Sequence, residues 1–395
     1  MARKPQPTLL SQRDLGRWKL VEDFRDALAA AVTDYRLHQT FSDPERLLSY
    51  SDYLSLFLFG LLNPVVRTMR GLCAATHLDR VQRDICQRPV SPGSFSATQH
   101  LLEPELLEKV FLDLSGQLEA RSARDPRLAT QKWMAHDGTL WRALPRMSWA
   151  LYGAGRSGDS HGVKLHLSFH LLKDTPERAT VRRAKDCERK VWQEHWEAGD
   201  GYIGDRYFGE DYRLFAKLQT KGCVYVVRLR EQASIHGEEE LAVSVADRKA
   251  GVVRQLWARL GAREKTRSVR VRLVWVEADG HQLLLVTNLG PDQLPAELVS
   301  LLYRRRWQVE LFFRWIKCIL GCRHWLAESS QGVTIQIYLA LIAAVLLQLY
   351  VGKRPTRRMM ELIQFYLLGV ASLKELTGGL HREFQRLAAQ NKKQV

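Results

Sequence analysis

The spacing of apolar positions divides the chain into helical, mixed and again helical stretches. Residues 1–130 carry apolar side chains at helical spacing, for example at Phe24, Leu28 and Val32. We therefore predict a helical N-terminal region. Short basic helices near residues 68–100 are compatible with a DNA-binding helix-turn-helix and equally with a plain helical subdomain.

The pattern changes at Lys132, where strands begin. Lys132–Asp137 and Gly201–Asp205 are predicted to be short strands that each end in an aspartate, and Cys223–Arg230 is an apolar strand typical of a sheet interior. His161–Leu172 alternates apolar with polar residues, which predicts a half-buried strand. Its polar face, with His161, His166 and His170, is expected to be solvated or near DNA.

A β-rich stretch follows, and then helices continue to the end. Arg267–Val276 and His281–Asn288 predict a hairpin that turns at Ala278-Asp279-Gly280. The most apolar run, Gly332–Val351, is long enough to cross a membrane, but polar residues interrupt it and a core helix is the preferred interpretation. The predicted segments after residue 130 are 131–230, the β-rich 231–290, 291–350 and the helical 351–395.

Composition adds a strong positive charge to this outline. The chain has 59 Lys and Arg against 43 Asp and Glu, a net charge of +16. Such an excess favours a polyanionic partner, nucleic acid first and an anionic membrane surface second. The six cysteines include no CxxC pair and indicate reduced thiols in a cytoplasmic protein. The N-terminus lacks the apolar segment of a signal peptide.

One predicted helix, Leu301–Trp325, carries a carboxylate among cations. Glu310 shares an arc of about 60° with Tyr303, Arg306 and Lys317, assuming 100° per residue. Arg314 shares the same arc, as the spacing shows. The remaining faces are mostly apolar, which predicts a buried helix. Because a buried charge must be paired or bind a metal, this stripe is either a structural ion-pair ladder or part of a site.

Three acids are candidates for such a site. Asp137 and Asp205 end predicted strands, where side chains reach the crevice at the carboxyl edge of a sheet, and Glu310 lies on the charged helix. Three converging carboxylates would repel one another unless a divalent cation lay between them. Oxygen ligands suit Mg²⁺ or Mn²⁺, and two such ions can assist a phosphodiester displacement.

These residues also carry a family resemblance. The series Tyr303, Arg306, Glu310 and Lys317 resembles the Y-R-E-K signature of bacterial DDE transposases of the insertion sequence four type. Asp137 in HDGT and Asp205 in GDRYF are similar to the first and second catalytic acids of that family. The similarity covers roughly residues 130–350 and includes a β-rich insertion before the glutamate.

The resemblance implies an α/β fold with an RNase H-like core, in which a mixed sheet has flanking helices and a β-rich insertion. It implies that Asp137, Asp205 and Glu310 bind two Mg²⁺ ions, for which Mn²⁺ could substitute. The reaction would be cut-and-paste transposition, with hydrolysis at the transposon ends and strand transfer into target DNA. Double-stranded DNA would be the partner, bound as paired ends by a homodimer, with no membrane involved.

The resemblance also implies roles for the cations and tryptophans around the acids. Tyr303, Arg306 and Lys317 would contact backbone phosphates, and Arg314 is a further candidate for DNA binding. Family members can flip a base onto a tryptophan of the insertion. Trp257 and Trp275 are available there, but core packing in the hairpin is the preferred interpretation.

Two other functions are compatible with the residues alone. One is an RNase H-like nuclease that cuts particular DNA structures, which strand transfer of a pre-cleaved end would distinguish from a transposase. The other is a non-catalytic basic DNA-binding protein derived from a transposase, which would bind without nicking.

Overall fold

The computed structural model describes residues 19–34, 48–66, 68–118, 126–129, 131–153, 160–261, 269–278, 280–322 and 324–393. Predictions that concern residues 1–18, the start of the strand at Arg267, and the turn residue Asp279 lie outside these ranges. The chain forms two compact units. The first comprises Met1–Leu118, Trp141–Gly162 and Phe313–Val395, and the second comprises Glu119–Leu140 and Val163–Phe312.

The described helices fall in both units and at their divisions. In chain order they are α1 (Lys19–Asp34), α2 (Tyr50–Leu62), α3 (Met69–Ala75), α4 (Asp79–Asp84), α5 (Pro92–Thr98), α6 (Pro104–Gly116), α7 (Glu188–Glu194), α8 (Arg213–Thr220), α9 (Val245–Lys249), α10 (Ala296–Arg305), α11 (Trp307–Cys318), α12 (Ser330–Val351), α13 (Arg357–Leu367) and α14 (Leu373–Lys393).

The described strands belong mainly to the second unit. They are β1 (Trp133–Arg142), β2 (Leu151–Gly153), β3 (Ser160–His170), β4 (Thr175–Arg183), β5 (Gly201–Gly204), β6 (Val224–Arg228), β7 (Ile235–Leu241), β8 (Val252–Leu260), β9 (Arg270–Ala278) and β10 (His281–Thr287).

The first unit is built around the apolar helix α12. Helices α1, α2 and α6 pack against it. The side chain of Ser329 accepts a hydrogen bond from Gly332 N at its beginning, and Gly352 ends it in a left-handed conformation with φ of 75°. Although α12 is long and apolar enough to span a membrane, 89% of its most apolar window is buried within the protein. The prediction of a core helix is confirmed.

The second unit contains a mixed sheet. Its strands lie in the order β3-β1-β5-β6-β10-β9-β8-β7, and β4 pairs with β3. Strands β1, β5 and β6 are parallel to one another. The pairs β6–β10, β10–β9, β9–β8 and β8–β7 are antiparallel. The predicted hairpin is confirmed as β9 and β10. The β-rich stretch therefore extends the sheet from its edge at β6, while the boundaries of the five predicted segments stay predictions.

Helices cover this sheet on both faces. On one face, α7 and α8 enclose a core that includes Trp192 and Phe215 with Tyr202 of β5 and Val227 of β6. Helix α10 packs against β6, β8 and β9. The predicted α/β class, a mixed sheet with flanking helices, is confirmed.

The prediction for the polar face of β3 was wrong. His166 is fully buried and His170 is 6% exposed, because the residue after α7, His195, is packed beside the strand. His195 Nδ1 lies 2.8 Å from Ser168 Oγ, and its Nε2 lies 2.8 Å from Thr180 Oγ1. Burial lowers the pKa of His195 to about 4. From Leu165 to His170 the strand is buried on both faces, so His166 and His170 belong to the core, whereas His161 is half-buried.

Candidate active site

The first candidate acid, Asp137, lies within a strand and not at its end. Strand β1 continues past it to Arg142, so the prediction that the strand stops at Asp137 was wrong. Gly138, the next residue, is closely surrounded by side chains. A Cβ there would lie 2.7 Å from Lys164 Cε and 2.8 Å from Glu188 Oε1. Asp137 Oδ1 accepts a hydrogen bond of 2.7 Å from Gly138 N.

The second acid, Asp205, directly follows β5, as predicted. Its Oδ1 accepts a hydrogen bond of 2.9 Å from Tyr207 N, so the carboxylate stabilises the turn after the strand.

Parallel pairing aligns the two aspartates on one face of the sheet. Ala135 of β1 is paired with Ile203 of β5, so the residues two positions later, Asp137 and Asp205, lie on the same face as this pair. The neighbouring position Met134 points to the opposite face, into the core with α7 and α8. The acids therefore project from the face opposite that core.

The third acid, Glu310, is joined to Asp137 by Arg306. The guanidinium Nη2 donates to Glu310 Oε1 at 2.7 Å, and Nη1 donates to Asp137 Oδ2 at 3.4 Å. The side chains of Arg306, Asp137 and Glu310 are 13%, 21% and 31% exposed. The guanidinium carbon also lies 5.8 Å from the centre of the Tyr303 ring. The structure thus brings together four of the predicted residues.

The single helix predicted from Leu301 onward is interrupted at Arg306. Helix α10 ends at Arg305 and α11 begins at Trp307. Arg306 keeps helical dihedral angles, but its N–H bonds to Tyr303 O and its carbonyl accepts from Val309 N, both at 3.1 Å. These i to i+3 bonds tighten the chain locally. The apolar face of α11 with Val309, Phe312 and Trp315 is buried, as predicted. Outside that face, Trp307 is 49% exposed and Leu311 is 40% exposed.

The remaining predicted cations, Arg314 and Lys317, lie on the part of α11 that belongs to the first unit. Lys317 Nζ is 4.4 Å from the centre of the Trp141 ring, which belongs to the same unit. Arg314 is exposed. Their roles in DNA binding stay predictions.

Burial controls the electrostatics of Asp137. It raises the pKa of this carboxyl to about 7, and the nearby carboxylates of Glu188 and Asp205 act in the same direction. Arg306 and the Gly138 N–H oppose the rise. Asp137 has other acids nearby and one arginine beside it. A further cation at this position would stabilise its ionised carboxylate.

The acids suit a hard divalent ion by their chemistry, since carboxylate oxygens are its preferred ligands. Among the described residues, however, no three Asp, Glu, His or Cys side chains are already spaced to hold a metal ion. Arg306 lies between Asp137 and Glu310 and supplies positive charge there.

Sequence reasoning missed Glu188, in the first turn of α7. Its Oε2 forms an ion pair of 2.5 Å with Lys164 Nζ, and its Oε1 lies close to the position of a Cβ on Gly138. The nearest sequence signal is an acid at a helix start, which is too common to identify a site. Only the tertiary packing of α7 beside β1 places Glu188 near Asp137.

Comparison with known proteins identifies the family of the part of the chain that contains this site. The family model described as "Transposase DDE domain" matches residues 130–346, more than half of the chain and the part that contains all three acids. The chain belongs to this family. It is a DDE-type DNA transposase, and its mixed α/β sheet is consistent with an RNase H-like core. Members of this family generally use divalent metal ions.

Relatives of the transposase agree with this assignment. It is 26% identical over 294 residues to "Putative transposase y4zB" of Sinorhizobium fredii, covering 73% of this chain and 79% of that one. It is 28% identical over 249 residues to "Probable transposase for insertion sequence element IS5377" of Geobacillus stearothermophilus, covering 62% and 63%. A third match, 35% identical over 107 residues, is to the transposase for insertion sequence element IS421 of Escherichia coli, covering 27% and 28%.

A solved structure is also similar to the transposase over most of its length. It is a cryo-EM structure of a piggyBac transposase synaptic complex with hairpin DNA, with a TM-score of 0.43 and 10% sequence identity. The match covers 96% of this chain and 82% of that chain.

Proposed function

We propose that Asp137, Asp205 and Glu310 form the catalytic acids of the transposase and hold two Mg²⁺ ions, for which Mn²⁺ could substitute. The observation that carries the proposal is the joint placement of these acids: two aligned on one sheet face, the third joined to the first through Arg306. The raised pKa of Asp137 supports it, because an acid held in an unfavourable environment is typical of functional sites.

The reaction has two phosphoryl-transfer steps. In the first, a water oxygen attacks the phosphorus at the transposon end, the bond to the 3′-oxygen breaks, and a free 3′-hydroxyl remains on the transposon. In the second, that hydroxyl attacks a phosphodiester of target DNA, joining the end and releasing a target 3′-hydroxyl. Bound divalent ions would activate the attacking oxygen and stabilise the charge on the leaving oxygen.

The chain's own residues position the DNA. Arg306 would leave the carboxylates and bind a phosphate when the acids are occupied by metal, because its guanidinium suits phosphate as well as carboxylate. Tyr303, Lys317 and Arg314 would contact the backbone nearby. The net charge of +16 supports binding to double-stranded DNA, both transposon ends and target. We further propose a homodimer on paired ends, in the cytoplasm of a bacterium and at the nucleoid.

The test is Glu310→Gln, assayed with a transposon-end duplex and Mg²⁺ for cleavage and, using a pre-cleaved end, for strand transfer. We expect both steps to fall by at least about 1000-fold while end binding is retained. The matched control is Glu240→Gln, an exposed acid on β7 whose loss should leave both steps unchanged. Undiminished cleavage by Glu310→Gln would refute the catalytic assignment. Cleavage without strand transfer by the wild-type protein would favour a simple nuclease.

A further inference from the structure

A cleft lined by arginines lies at the ends of β5 and β6, beside the second acid. Its volume is about 310 Å³, and it is lined by Arg206, Arg228, Leu229, Arg230, Glu231 and Gln232. None of these residues belongs to the set proposed above for catalysis or DNA binding. The cleft therefore needs its own explanation.

The sheet register places Arg228 next to Asp205. Gly204 of β5 is paired with Val227 of the parallel strand β6, so the next residues, Asp205 and Arg228, are neighbours in the same register. Val227 faces the core formed with α7 and α8, so Arg228 points to the opposite face, which is also the face of the acids. Adjacent strands are about 4.8 Å apart. Asp137, Asp205 and Arg228 thus form one row across three strands.

The turn after Asp205 completes the cleft. The 3₁₀ turn Phe208–Glu210 lies against the end of β6, where a Cβ on Gly209 would overlap the carbonyl oxygen of Arg228. This close approach requires a glycine. Arg206, at the start of the same turn, lines the cleft together with Arg228. The turn brings a second arginine to the cleft.

The charges of the cleft are not balanced within it. Arg230 is neutralised by Glu210, whose Oε1 is 2.9 Å from its Nε. Within the part of the chain that the structure describes, the side chains of Arg206 and Arg228 form no hydrogen bond or ion pair. Glu231 also lines the cleft and carries one negative charge against these two arginines. The remaining positive charge, at the side of the proposed phosphodiester-cleaving site, suits an anion with several oxygen acceptors.

We propose that Arg228, with Arg206, binds a DNA phosphodiester that is adjacent to the phosphodiester positioned at Asp205. Arg228 lies one β-strand away from Asp205. It would therefore bind the DNA backbone beside the reacting phosphodiester and fix the position of that phosphodiester over the acids. Arg306 joins Asp137 to Glu310, so the acids have arginines on both sides along the DNA path. The inference rests on the proposed function, since it assumes that the reacting phosphodiester lies at Asp205.

The test measures binding of a transposon-end duplex by fluorescence anisotropy over a range of KCl concentrations. Each phosphate contact contributes about 0.9 to the slope of log K against log salt. We expect Arg228→Gln to reduce that slope by about 0.9 and affinity by about eightfold at 0.1 M salt, and Arg206→Gln with Arg228→Gln to reduce the slope by about 1.8. The control is Arg213→Gln, an exposed arginine of the same unit that already pairs with Asp211.

A second measurement identifies the phosphate. Duplexes carrying a single neutral methylphosphonate are scanned along the strand, and Arg228→Gln is compared with wild type at each position. At the contacted phosphate, the methylphosphonate should weaken wild type but have no further effect on the variant. Losses that add at every position, or an unchanged salt slope in the double variant, would overturn the inference. Because binding is measured without cleavage, this outcome is independent of the Glu310→Gln result.

Discussion

Among the groups of the second unit in which arginine meets carboxylates, two clusters have contrasting surroundings. In the site, Arg306 is 13% exposed and contacts Asp137 and Glu310. On the outer strands, Arg254 pairs with Glu238 and Glu240. A second outer pair joins Arg270 to Glu239, and the side chains of this outer cluster are 45–64% exposed. Both clusters have the same chemical groups, so the difference between them lies in their access to water.

Burial decides what each cluster can do. Exposed ion pairs contribute about 0–1 kcal/mol because water and salt screen them. In the site, burial raises the pKa of Asp137 to about 7, whereas the arginine beside it acts in the opposite direction. Aromatic contacts do not distinguish the clusters, since Arg254 and Arg270 each lie 5.0 Å from a tryptophan ring centre. We infer that the buried cluster is arranged for chemistry and the exposed one for solubility and surface order.

The largest effect expected is on catalysis. Asp137→Asn keeps the shape of the side chain and an oxygen that can accept from Gly138 N, but it removes the charge that a metal requires. We expect DNA cleavage to fall by at least about 1000-fold, with the free energy of unfolding unchanged or raised by about 1 kcal/mol, because a buried carboxylate is lost. Cleavage assays and thermal melting measure the two quantities. A parallel loss of stability and activity would contradict the argument.

The next largest effect is expected from His195, a buried histidine beside β3. It concerns the dependence of the free energy of unfolding on pH. Burial lowers the pKa of His195 to about 4, with Arg178 and Arg182 acting in the same direction, whereas an unfolded histidine has a pKa of about 6.5. The unfolded chain therefore binds the proton first as pH falls. His195 contributes stability above pH 6.5 that is lost progressively toward pH 4, by about 1.4 kcal/mol per pH unit.

Chemical denaturation of wild type and His195→Gln between pH 7 and pH 4 checks this expectation. The free energy of unfolding of the variant should fall less steeply with decreasing pH. The difference in slope should correspond to about one bound proton. His281→Gln, at an exposed position of β10, is the matched control and should keep the wild-type slope. Equal slopes for wild type and His195→Gln would contradict the assignment of the proton to His195.

The smallest effect compares the two clusters directly. Arg306→Ala leaves Asp137 and Glu310 without their shared cation, so we expect a loss of about 1–3 kcal/mol in the free energy of unfolding. Arg254→Ala should change it by less than about 1 kcal/mol, because its partners stay hydrated. Added Mg²⁺ should restore stability to Arg306→Ala and have little effect on Arg254→Ala. Equal losses in the two variants would remove the distinction between the clusters.

Local patterns in the sequence predicted several elements well. The hairpin of β9 and β10, the core helix α12 and the position of Asp205 after β5 all follow from apolar spacing and turn residues over short distances. The placement of Tyr303, Arg306 and Glu310 near one another follows from helical spacing, even though the helix is interrupted. Trp275 of the hairpin is half-buried and packs against the core, in agreement with the preferred interpretation. Trp257 is half-buried on β8, outside the hairpin, with the guanidinium of Arg270 over its ring.

The features that sequence reasoning missed depend on contacts between distant elements. The surroundings of Gly138 depend on Lys164 and Glu188, whose side-chain ends approach the position that a Cβ would occupy. The burial of His166 depends on α7, and no local pattern shows which helix covers a strand. Arg228 lies in a predicted apolar strand, and its alignment with Asp205 is visible only when β5 and β6 are in register. These are properties of pairing and packing, which a single sequence does not encode locally.

The continuity of the sheet has an evolutionary consequence. Strand β10 is hydrogen-bonded to β6, and β9, β8 and β7 follow outward in turn. A substitution in β10 can displace β6, the strand that carries Arg228, because the two strands are directly hydrogen-bonded. Strand β7 lies three strands farther out. Tolerance to mutation, insertion and exchange should therefore increase from β10 to β7, so that relatives can diversify the outer strands while the row of acids stays fixed.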